Sequence, residues 1–343
     1  MVDSSSPRFL IARFSALGDV LLMQPLITML RREFGENATV DLICLKRSMP
    51  AASLLSGLNQ VHAIERGTGE VLETLKGMQY HHLLDMHGSV RSRSLAKSLD
   101  ALTFQVDKQW WNRWCLTRGL RREPVEPFVD RCLDAVKAFN LPKPAPDAWG
   151  EAAWGTMRLE GALPHALKGR KDLLVLSLGS SQPGKHLSND VVEATIATAE
   201  DQKQTVVLVG GSDVQPRCEA LAARHQGVLN GAGNWTLTEV ALAIREANAL
   251  VSGDTATMHL GAALGVPTLA VWGCTRPALG LAPWRPHPQS DSILPQRPAQ
   301  ARPCSKHGAT CRHTSSKDPM DPKRCGQFVD PERVRAWIQE VVD

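Results

Sequence analysis

Short apolar segments recur along this chain in two series, and those of the second series end in glycine, serine or aspartate. The segments are residues 8–14, 38–45 and 81–86 in the first series and 172–181, 204–213, 247–254 and 267–273 in the second. Stretches with helical spacing separate them. Strands that alternate with helices form parallel βαβ units with helices on both faces of the sheet. The sequence therefore predicts an α/β protein with two doubly wound, Rossmann-like domains.

The length of the chain and a proline-rich stretch near its middle support this division. A chain of 343 residues, 43% of them hydrophobic, exceeds what one core comfortably holds. The stretch 140–171, which contains L-P-K-P-A-P-D, is typical of a connection between domains. We predict an N-terminal domain over 1–160 and a C-terminal domain over 171–328. A final helix over 329–343 is expected to pack back on the N-terminal domain.

Composition argues against several classes of protein. The net charge of +4 is too small to require a nucleic-acid partner. No uninterrupted apolar stretch approaches the 18 residues or so typical of a membrane-spanning helix. The first residues, M-V-D-S-S-S-P-R, lack the pattern of a signal peptide. We therefore expect a cytoplasmic protein.

The eight cysteines are scattered, which favours reduced thiols over a disulfide framework. Cys304, Cys311 and Cys325, with His307 and His313, are residue types that bind zinc. They contain no C-x-x-C pair and lie in a proline-rich, loop-like segment. The sequence therefore predicts no metal site.

Residues 252–267 read S-G-D-T-A-T-M-H-L-G-A-A-L-G-V-P, a strand end followed by hydroxyl residues and an alanine-rich helix. The free N–H groups and the positive dipole end of such a helix suit a phosphate group. Thr255 and Thr257 add hydroxyl donors, and His259 falls near the first turn. Gly261 lets the helix pack closely on the sheet. The segment predicts a phosphate-binding helix start.

Near the N-terminus, F-S-A-L-G-D-V-L-L at 14–22 places Gly18 and Asp19 where the first strand gives way to a helix. The sequence leaves two alternative roles for Asp19. It caps a helix that begins at Val20, or its carboxylate, ionised at neutral pH, accepts a proton from an attacking hydroxyl. Gly18 leaves the loop bare, so that a bulky group can approach Asp19.

Four motifs, taken in order, resemble those of the ADP-heptose:lipopolysaccharide heptosyltransferases, glycosyltransferase family 9. They are F-S-A-L-G-D-V-L-L, L-D-M-H-G-S-V-R-S (84–92), L-G-S-S-Q-P-G-K-H-L (178–187) and D-T-A-T-M-H-L-G-A-A-L-G-V-P (254–267). The resemblance covers nearly the whole chain. It implies the GT-B fold, in which two Rossmann-like domains face an inter-domain cleft. The acceptor would bind the N-terminal domain and the nucleotide sugar the C-terminal one.

The resemblance also implies an activity and a set of residues. The activity is inverting transfer of heptose from ADP-heptose to the lipopolysaccharide inner core, with no cofactor or metal required. Asp19 would be the general base, and Lys185 would stabilise the leaving diphosphate. Gly18 and Arg91 would contact the acceptor. Donor contacts would come from Ser180, Ser181, Asp213, Asp254, Thr255, Ala256 and His259, with Trp235 near the adenine. Ala256 stands where the family usually has glycine.

Basic residues are concentrated between Arg91 and Arg122, and Trp110, Trp111 and Trp114 are interleaved with them. Such a segment suits an anionic, amphipathic acceptor at a membrane surface. It also suits single-stranded nucleic acid, or it is a solvated helix face with the tryptophans packed beneath it. We expect a nucleotide-sugar donor and a lipopolysaccharide acceptor as partners, with a peripheral position at the inner face of the inner membrane and no nucleic acid.

Two other functions remain open at this point. One is a GT-B transferase that uses another nucleotide sugar or acceptor, as in capsule or glycoprotein assembly. The other is a module that binds anionic ligands or nucleic acid through the segment 91–122.

Overall fold

The computed structural model describes residues 6–296 and 302–342, whose strands form two parallel sheets. One sheet has five strands in the order β3-β2-β1-β4-β5, and the other has six in the order β11-β10-β9-β6-β7-β8. The strands are β1 (Arg8–Ala12), β2 (Thr39–Leu45), β3 (Gln60–Ile64), β4 (His82–Asp85), β5 (Leu102–Gln105), β6 (Leu173–Ser177), β7 (Thr205–Val209), β8 (Val228–Asn230), β9 (Ala249–Ser252), β10 (Thr268–Val271) and β11 (Asp291–Ile293).

Helices connect these strands along the described residues. They are α1 (Leu17–Leu21), α2 (Gln24–Phe34), α3 (Met49–Ala52), α4 (Leu72–Gly77), α5 (Val90–Ser98), α6 (Trp110–Arg118), α7 (Phe128–Ala135), α8 (Gly150–Trp154), α9 (Asn189–Asp201), α10 (Gln215–Arg224), α11 (Leu237–Arg245), α12 (Ala256–Ala263) and α13 (Pro331–Val342). Strand and helix alternate as the sequence predicted.

The chain divides into two units, each built around one sheet. The first contains the residues up to Trp110 together with Phe128–Arg158, and the second contains Trp111–Pro127 and the residues from Leu159 onward. The sequence assigned all of 1–160 to the first domain. Residues 111–127 belong to the second unit instead, because Leu116 and Val125 pack there against Leu279.

In the first unit, β1 lies at the centre of its sheet, between β2 and β4. Four of its five residues, Phe9 to Ala12, are fully buried, as expected for a strand that is covered on both faces. The chain leaves the carboxyl end of β1 through Arg13 and Phe14 and enters α1. This end of the sheet therefore carries the Gly18–Asp19 segment.

In the second unit, the order of the strands reverses at β6. The chain passes from β6 to β7 and β8 on one side and then crosses to β9 on the other side. At such a switch point the loops after the two adjacent strands separate and leave a crevice outside their carboxyl ends, where open α/β sheets bind ligands. The loops in question follow β6 and β9, and they contain Lys185 and Asp254.

The C-terminal helix α13 packs within the second unit, and the prediction that it packs on the first domain was wrong. Val334, Trp337 and Ile338 form its buried stripe in the hydrophobic core of that unit. The indole Nε1 of Trp337 donates a hydrogen bond to the carbonyl of Gln289 at 2.9 Å. An apolar spacing of i, i+3 and i+4 is typical of a helix with one buried face, but such a spacing does not specify the surface that it covers.

Helix α12 approaches the sheet closely at Gly261, as the sequence predicted. A Cβ atom at Gly261 would lie 2.7 Å from Leu250 Cδ2 and closer still to Thr268 Oγ1. We predict that Gly261→Ala lowers the free energy of unfolding by about 1–3 kcal/mol, because the helix must move away from the strands. Urea denaturation measures the change.

Gly77→Ala is the matched control, since Gly77 also lies in a helix and a Cβ atom there would have no neighbour within 4 Å. This variant should be unchanged, or more stable by about 0.5–1 kcal/mol because alanine restricts the unfolded chain. Equal stability of the two variants would contradict the close packing of α12.

Candidate active site

Asp19 lies in the first turn of α1, with its carboxylate held from two sides. The helix begins at Leu17, so the predicted start at Val20 was wrong. Oδ2 accepts hydrogen bonds from the Ala16 N–H at 3.1 Å and from Arg13 Nη2 at 2.6 Å. The side chain of Asp19 is still 35% exposed. The contact with Ala16 is a capping contact, and it leaves the carboxylate accessible to a substrate.

Arg13, which sequence reasoning missed, fixes the orientation of Asp19. Its side chain is 8% exposed. The guanidinium carbon lies 4.5 Å from the centre of the Phe128 ring, and Nη1 donates to the carbonyl of Met86. A buried guanidinium requires a negative partner, and Asp19 provides one. The signal in the sequence is an arginine that directly follows the apolar run Phe9–Ala12 of β1.

The loop after β4 approaches the same region. Asp85 Oδ1 accepts hydrogen bonds from the N–H groups of His87 and Gly88 at 3.0 and 2.8 Å, so this carboxylate shapes the loop. Burial, and then the positive charges of Arg13 and Lys108, lower the pKa of His87 to about 4. His87 is therefore a neutral imidazole at physiological pH. Its ring packs edge-on against Phe14, at 5.1 Å between centres.

Arg91 lies over the ring of Phe14, the second residue after β1. Its guanidinium carbon is 5.3 Å from the centre of that ring. It borders a concavity of about 640 Å³ in the first unit. The residues lining this concavity are Ser15, Leu45, Lys46, Arg47, Glu65, Arg66 and Arg91. Its lining contains four cationic side chains and one carboxylate, so its charge is predominantly positive. Gly18 is half-buried in α1 and is not among the lining residues.

In the second unit, Lys185 and Asp254 form an ion pair between the loops after β6 and β9. The distance from Lys185 Nζ to Asp254 Oδ2 is 2.8 Å, and the side chains are 19% and 6% exposed. Lys185 ends a 3-10 turn, Pro183–Lys185, and Asp254 comes two residues after the end of β9. The switch point thus brings a buried carboxylate and a more accessible ammonium group together.

Hydroxyl groups connect the ends of β6 and β9 next to this pair. Thr257 Oγ1 donates to Ser177 Oγ at 2.8 Å and lies 2.9 Å from Ser252 Oγ. Thr255 Oγ1 lies 2.7 Å from Thr257 Oγ1 and 3.0 Å from Ser252 Oγ. Helix α12 begins at Ala256, and His259 is buried in its first turn. The hydroxyl network therefore anchors the helix start whose N–H groups suit a phosphate.

The remaining predicted donor residues are distributed along the same sheet edge. Ser180 Oγ closes a local turn, accepting from Gln182 N–H at 3.2 Å and donating to Gln182 O at 3.1 Å. Ser181 and Asp213 are exposed. Trp235 is half-buried and lies against Gly231, where a Cβ atom would collide with the indole ring. Lys185 and Asp254 pair with each other, while Thr255 belongs to the hydroxyl network at the start of α12, the helix that contains Ala256 and His259.

Three cysteine sulfurs converge behind the Lys185 turn. Those of Cys274, Cys304 and Cys325 all lie within 4.8 Å of one another. Cys274 was absent from the set considered in the sequence, because it lies 30 residues before Cys304 at the end of a different strand. These three residues are able to hold a metal ion. The prediction that no metal site exists stays untested.

Two of the three tryptophans of α6 are exposed, and the third, Trp114, is half-buried. Trp110 and Trp111 are 63% and 56% exposed, so the interpretation that they pack beneath a helix face was wrong. Trp111 stacks on Trp114 with 5.0 Å between ring centres, and the Arg118 guanidinium lies 5.5 Å from the Trp114 ring. The boundary between the units falls at Trp110, so the basic residues between Arg91 and Arg122 do not form one continuous element.

Among residues 6–296 and 302–342, no helix combines the length and the apolar character that crossing a membrane requires.

Comparison with known proteins identifies a family that matches most of the chain. A family model described as glycosyltransferase family 9 (heptosyltransferase) matches residues 69–313, about seven tenths of the chain. None of the curated proteins compared matches the sequence.

Solved structures share the fold. The glycosyl transferase family 9 protein from Veillonella parvula DSM 2008 is 13% identical with a TM-score of 0.71, covering 99% of this chain and 98% of its own. The E. coli heptosyltransferase WaaC with ADP is 18% identical with a TM-score of 0.69, covering 97% and 99%. E. coli ADP-heptose lps heptosyltransferase II is 16% identical with a TM-score of 0.67, covering 98% of each chain.

These matches confirm the resemblance and the GT-B fold class predicted from the four motifs. The match extends over the loops after β4, β6 and β9 that form the sites described above. This chain belongs to glycosyltransferase family 9, the heptosyltransferases.

Proposed function

We propose that this glycosyltransferase moves heptose, with inversion, from ADP-heptose to a hydroxyl group of the lipopolysaccharide inner core. The observation that carries the proposal is the ion pair between Lys185 and the buried Asp254, beside the start of α12. A cation and free helix amides at one switch point suit a nucleoside diphosphate. The similar E. coli heptosyltransferase WaaC was solved with ADP.

The donor diphosphate gains negative charge as its bond to the sugar breaks. Lys185 would move its ammonium group from Asp254 to the leaving oxygens, where a positive charge lowers the barrier. The α12 amides at Ala256 and the Thr255 hydroxyl would bind the same phosphates. Asp254, released in part from Lys185, would accept a hydrogen bond from a sugar hydroxyl.

Other residues of the second unit would complete donor binding. Ser180 and Ser181 lie on the loop that leads to Lys185 and would donate hydroxyl groups to the diphosphate. His259 lies in the first turn of α12 and would donate to a phosphate or sugar oxygen. Asp213, exposed after β7, would accept from the ribose, and Trp235, after β8, would lie near the adenine.

The acceptor side of the reaction would use Asp19. As the acceptor oxygen bonds to the anomeric carbon, the bond from that carbon to the diphosphate breaks, and its electron pair leaves with the diphosphate. The acceptor proton passes to the Asp19 carboxylate, which need not deprotonate the alcohol beforehand. Arg13 and the Ala16 N–H fix the carboxylate, so that its orientation is set before the acceptor binds.

The basic concavity supports an anionic acceptor. Lys46, Arg47, Arg66 and Arg91 line it, and Ser15 at its edge precedes Asp19 by four residues. Phosphate or carboxylate groups of an inner-core acceptor would pair with these cations while a neutral hydroxyl reaches Asp19 past Gly18. Arginine is suited to this role because its guanidinium binds such groups with two parallel hydrogen bonds.

Substitution of the two catalytic candidates tests the proposal. Asp19→Asn should lower kcat by about 10²–10⁴-fold, because general-base catalysis is lost, while ADP binds as before. Lys185→Ala should weaken ADP binding as well as transfer, because it removes the cation from the diphosphate. The measurements are calorimetric titration with ADP and ADP release with ADP-heptose and a lipid A–Kdo acceptor.

Asp134→Asn is the matched control, an exposed aspartate in α7 of the same unit as Asp19. It should retain full activity. Tighter binding of UDP than of ADP would contradict ADP-heptose as the donor and would favour a transferase of capsule or glycoprotein assembly. Asp19→Asn with undiminished transfer would contradict the role of the base.

We further propose that the protein associates peripherally with the inner face of the inner membrane through the basic tryptophan segment, residues 110–122. Trp111 and Leu120 are 56% and 69% exposed, and Arg118, Arg121 and Arg122 accompany them. Exposed indole rings and arginines suit the interface of an anionic bilayer. An acceptor anchored in lipid requires the enzyme to reach that interface.

The paired substitution Arg121→Ala/Arg122→Ala should weaken binding to anionic vesicles by roughly 30-fold, at about 1 kcal/mol for each charge near the surface. Co-sedimentation with phosphatidylglycerol–phosphatidylethanolamine vesicles measures it. Lys168→Ala/Lys171→Ala removes the same charge from exposed positions of the same unit and should have little effect. Equal losses in both variants would argue against a localised contact.

A further inference from the structure

We propose that Cys274, Cys304 and Cys325 bind a thiophilic divalent metal ion, Zn²⁺ or Fe²⁺, that braces the Lys185 turn from behind. The three sulfurs lie within 4.8 Å of one another. Cys304 Sγ and Cys325 Sγ are 3.5 Å apart. Two thiolates on one tetrahedral zinc, each about 2.3 Å from it, are roughly 3.8 Å apart, whereas a disulfide has about 2.05 Å.

The three ligands come from separate segments that converge on one place. Cys274 follows β10, Cys304 lies in the segment after residue 302, and Cys325 begins a 3-10 turn ahead of α13. The N–H of Cys304 donates to the carbonyl of Cys274 at 2.9 Å, which fixes two of the three backbones together. Sulfur ligands already assembled by backbone contacts need little rearrangement to bind an ion.

The chemistry of the cluster also suits a cation. Cys304 Sγ and Cys325 Sγ are in hydrogen-bond contact, and either thiol can be the donor. A divalent ion would take the place of the thiol protons, because metal ligands are deprotonated.

The surroundings compensate the charge that would remain. Three thiolates and a divalent ion leave one negative charge. Arg276, two residues after Cys274, is 2% exposed and contributes a buried positive charge. The N–H of Arg312 donates to the Cys304 sulfur. Hydrogen bonds from N–H groups and nearby charge tune metal-bound ligands. Cys311 and His313 follow Cys304 by seven and nine residues and are the candidates for a fourth ligand.

The cluster packs directly against the turn that holds Lys185. The Cys274 N–H donates to the carbonyl of Gly184 at 2.8 Å, and the Gly184 N–H donates to the carbonyl of Gly308 at 3.0 Å. A Cβ atom at Gly184 would lie 2.8 Å from the sulfur of Cys274. An ion that joins Cys274 to Cys304 and Cys325 would therefore hold the turn between two backbone segments.

Metal analysis of the full chain, purified without a metal-affinity tag, tests the site. We expect about one zinc or iron ion per chain by mass spectrometry. Cys304→Ser should lose most of the ion. Cys115→Ser, which removes a half-buried thiol from α6 outside the cluster, should retain it. Equal metal content in the two variants would overturn the assignment.

A measurement on the wild type keeps the test independent of folding in the variants. After removal of the native ion, titration with Co²⁺ should give thiolate-to-cobalt charge transfer and the intense visible bands of tetrahedral cobalt. Absence of bound metal and of these bands would overturn the proposal. So would a Cys304–Cys325 disulfide in protein isolated under nitrogen, identified by peptide mapping.

Hydrogen exchange tests the bracing role, separately from the transfer reaction. Chelation should speed exchange of the Gly184 and Cys274 amides, which donate the hydrogen bonds beside the cluster, while amides of β1 in the other unit keep their rates. Unchanged exchange at Gly184 and Cys274 would overturn the bracing role. These readouts do not depend on the nature of the sugar donor or acceptor.

Discussion

The ion pair between Lys185 and Asp254 is the contact on which the site of the second unit depends. Removal of water from a carboxylate that is 6% exposed is costly unless a cation lies against it, and breaking a buried pair from one side costs about 3–5 kcal/mol. The pair therefore fixes the spacing of the loops after β6 and β9. In the proposed reaction, a diphosphate that draws Lys185 away leaves Asp254 without its cation, and a hydrogen bond from a sugar hydroxyl would compensate that carboxylate in part.

The first unit also contains an ion pair with one buried member, but the buried member is the cation. Arg13 is the more buried partner and Asp19 the more exposed one, with side chains 8% and 35% exposed. The cation is enclosed by Phe128 and by the carbonyl of Met86, so the exposed carboxylate is the member of the pair left for chemistry. In the second unit the buried member is the carboxylate and the accessible one is the cation. This inversion fits the base proposed for the first unit and the electrostatic stabiliser proposed for the second.

The sequence predicted the α/β class, the two sheets and the close approach at Gly261, because apolar runs and strand-end glycines are local features. The sequence located Lys185 and Asp254 on loops, but it did not predict the contact between them. That contact depends on the switch point and so on the order of the strands, which no local sequence pattern contains. Arg13 was missed because an arginine after a strand normally points to solvent. The packing of α13 was predicted wrongly because its apolar stripe fits either unit. Cys274 was missed because its partners are brought to it only by the path of the chain after β10.

The position of Lys185 depends on backbone packing as well as on charge. A Cβ atom at Gly253 would lie 2.7 Å from the carbonyl oxygen of Lys185, and one at Gly273 would collide with the carbonyl oxygen of Gly184. The turn after β6 is thus in contact with the backbones that follow β9 and β10, without side chains between them. Interactions between backbones resist sideways movement, since no rotamer change can relieve a collision. Lys185 consequently stands on a rigid base, and its four-carbon side chain is the part able to move between Asp254 and a phosphate.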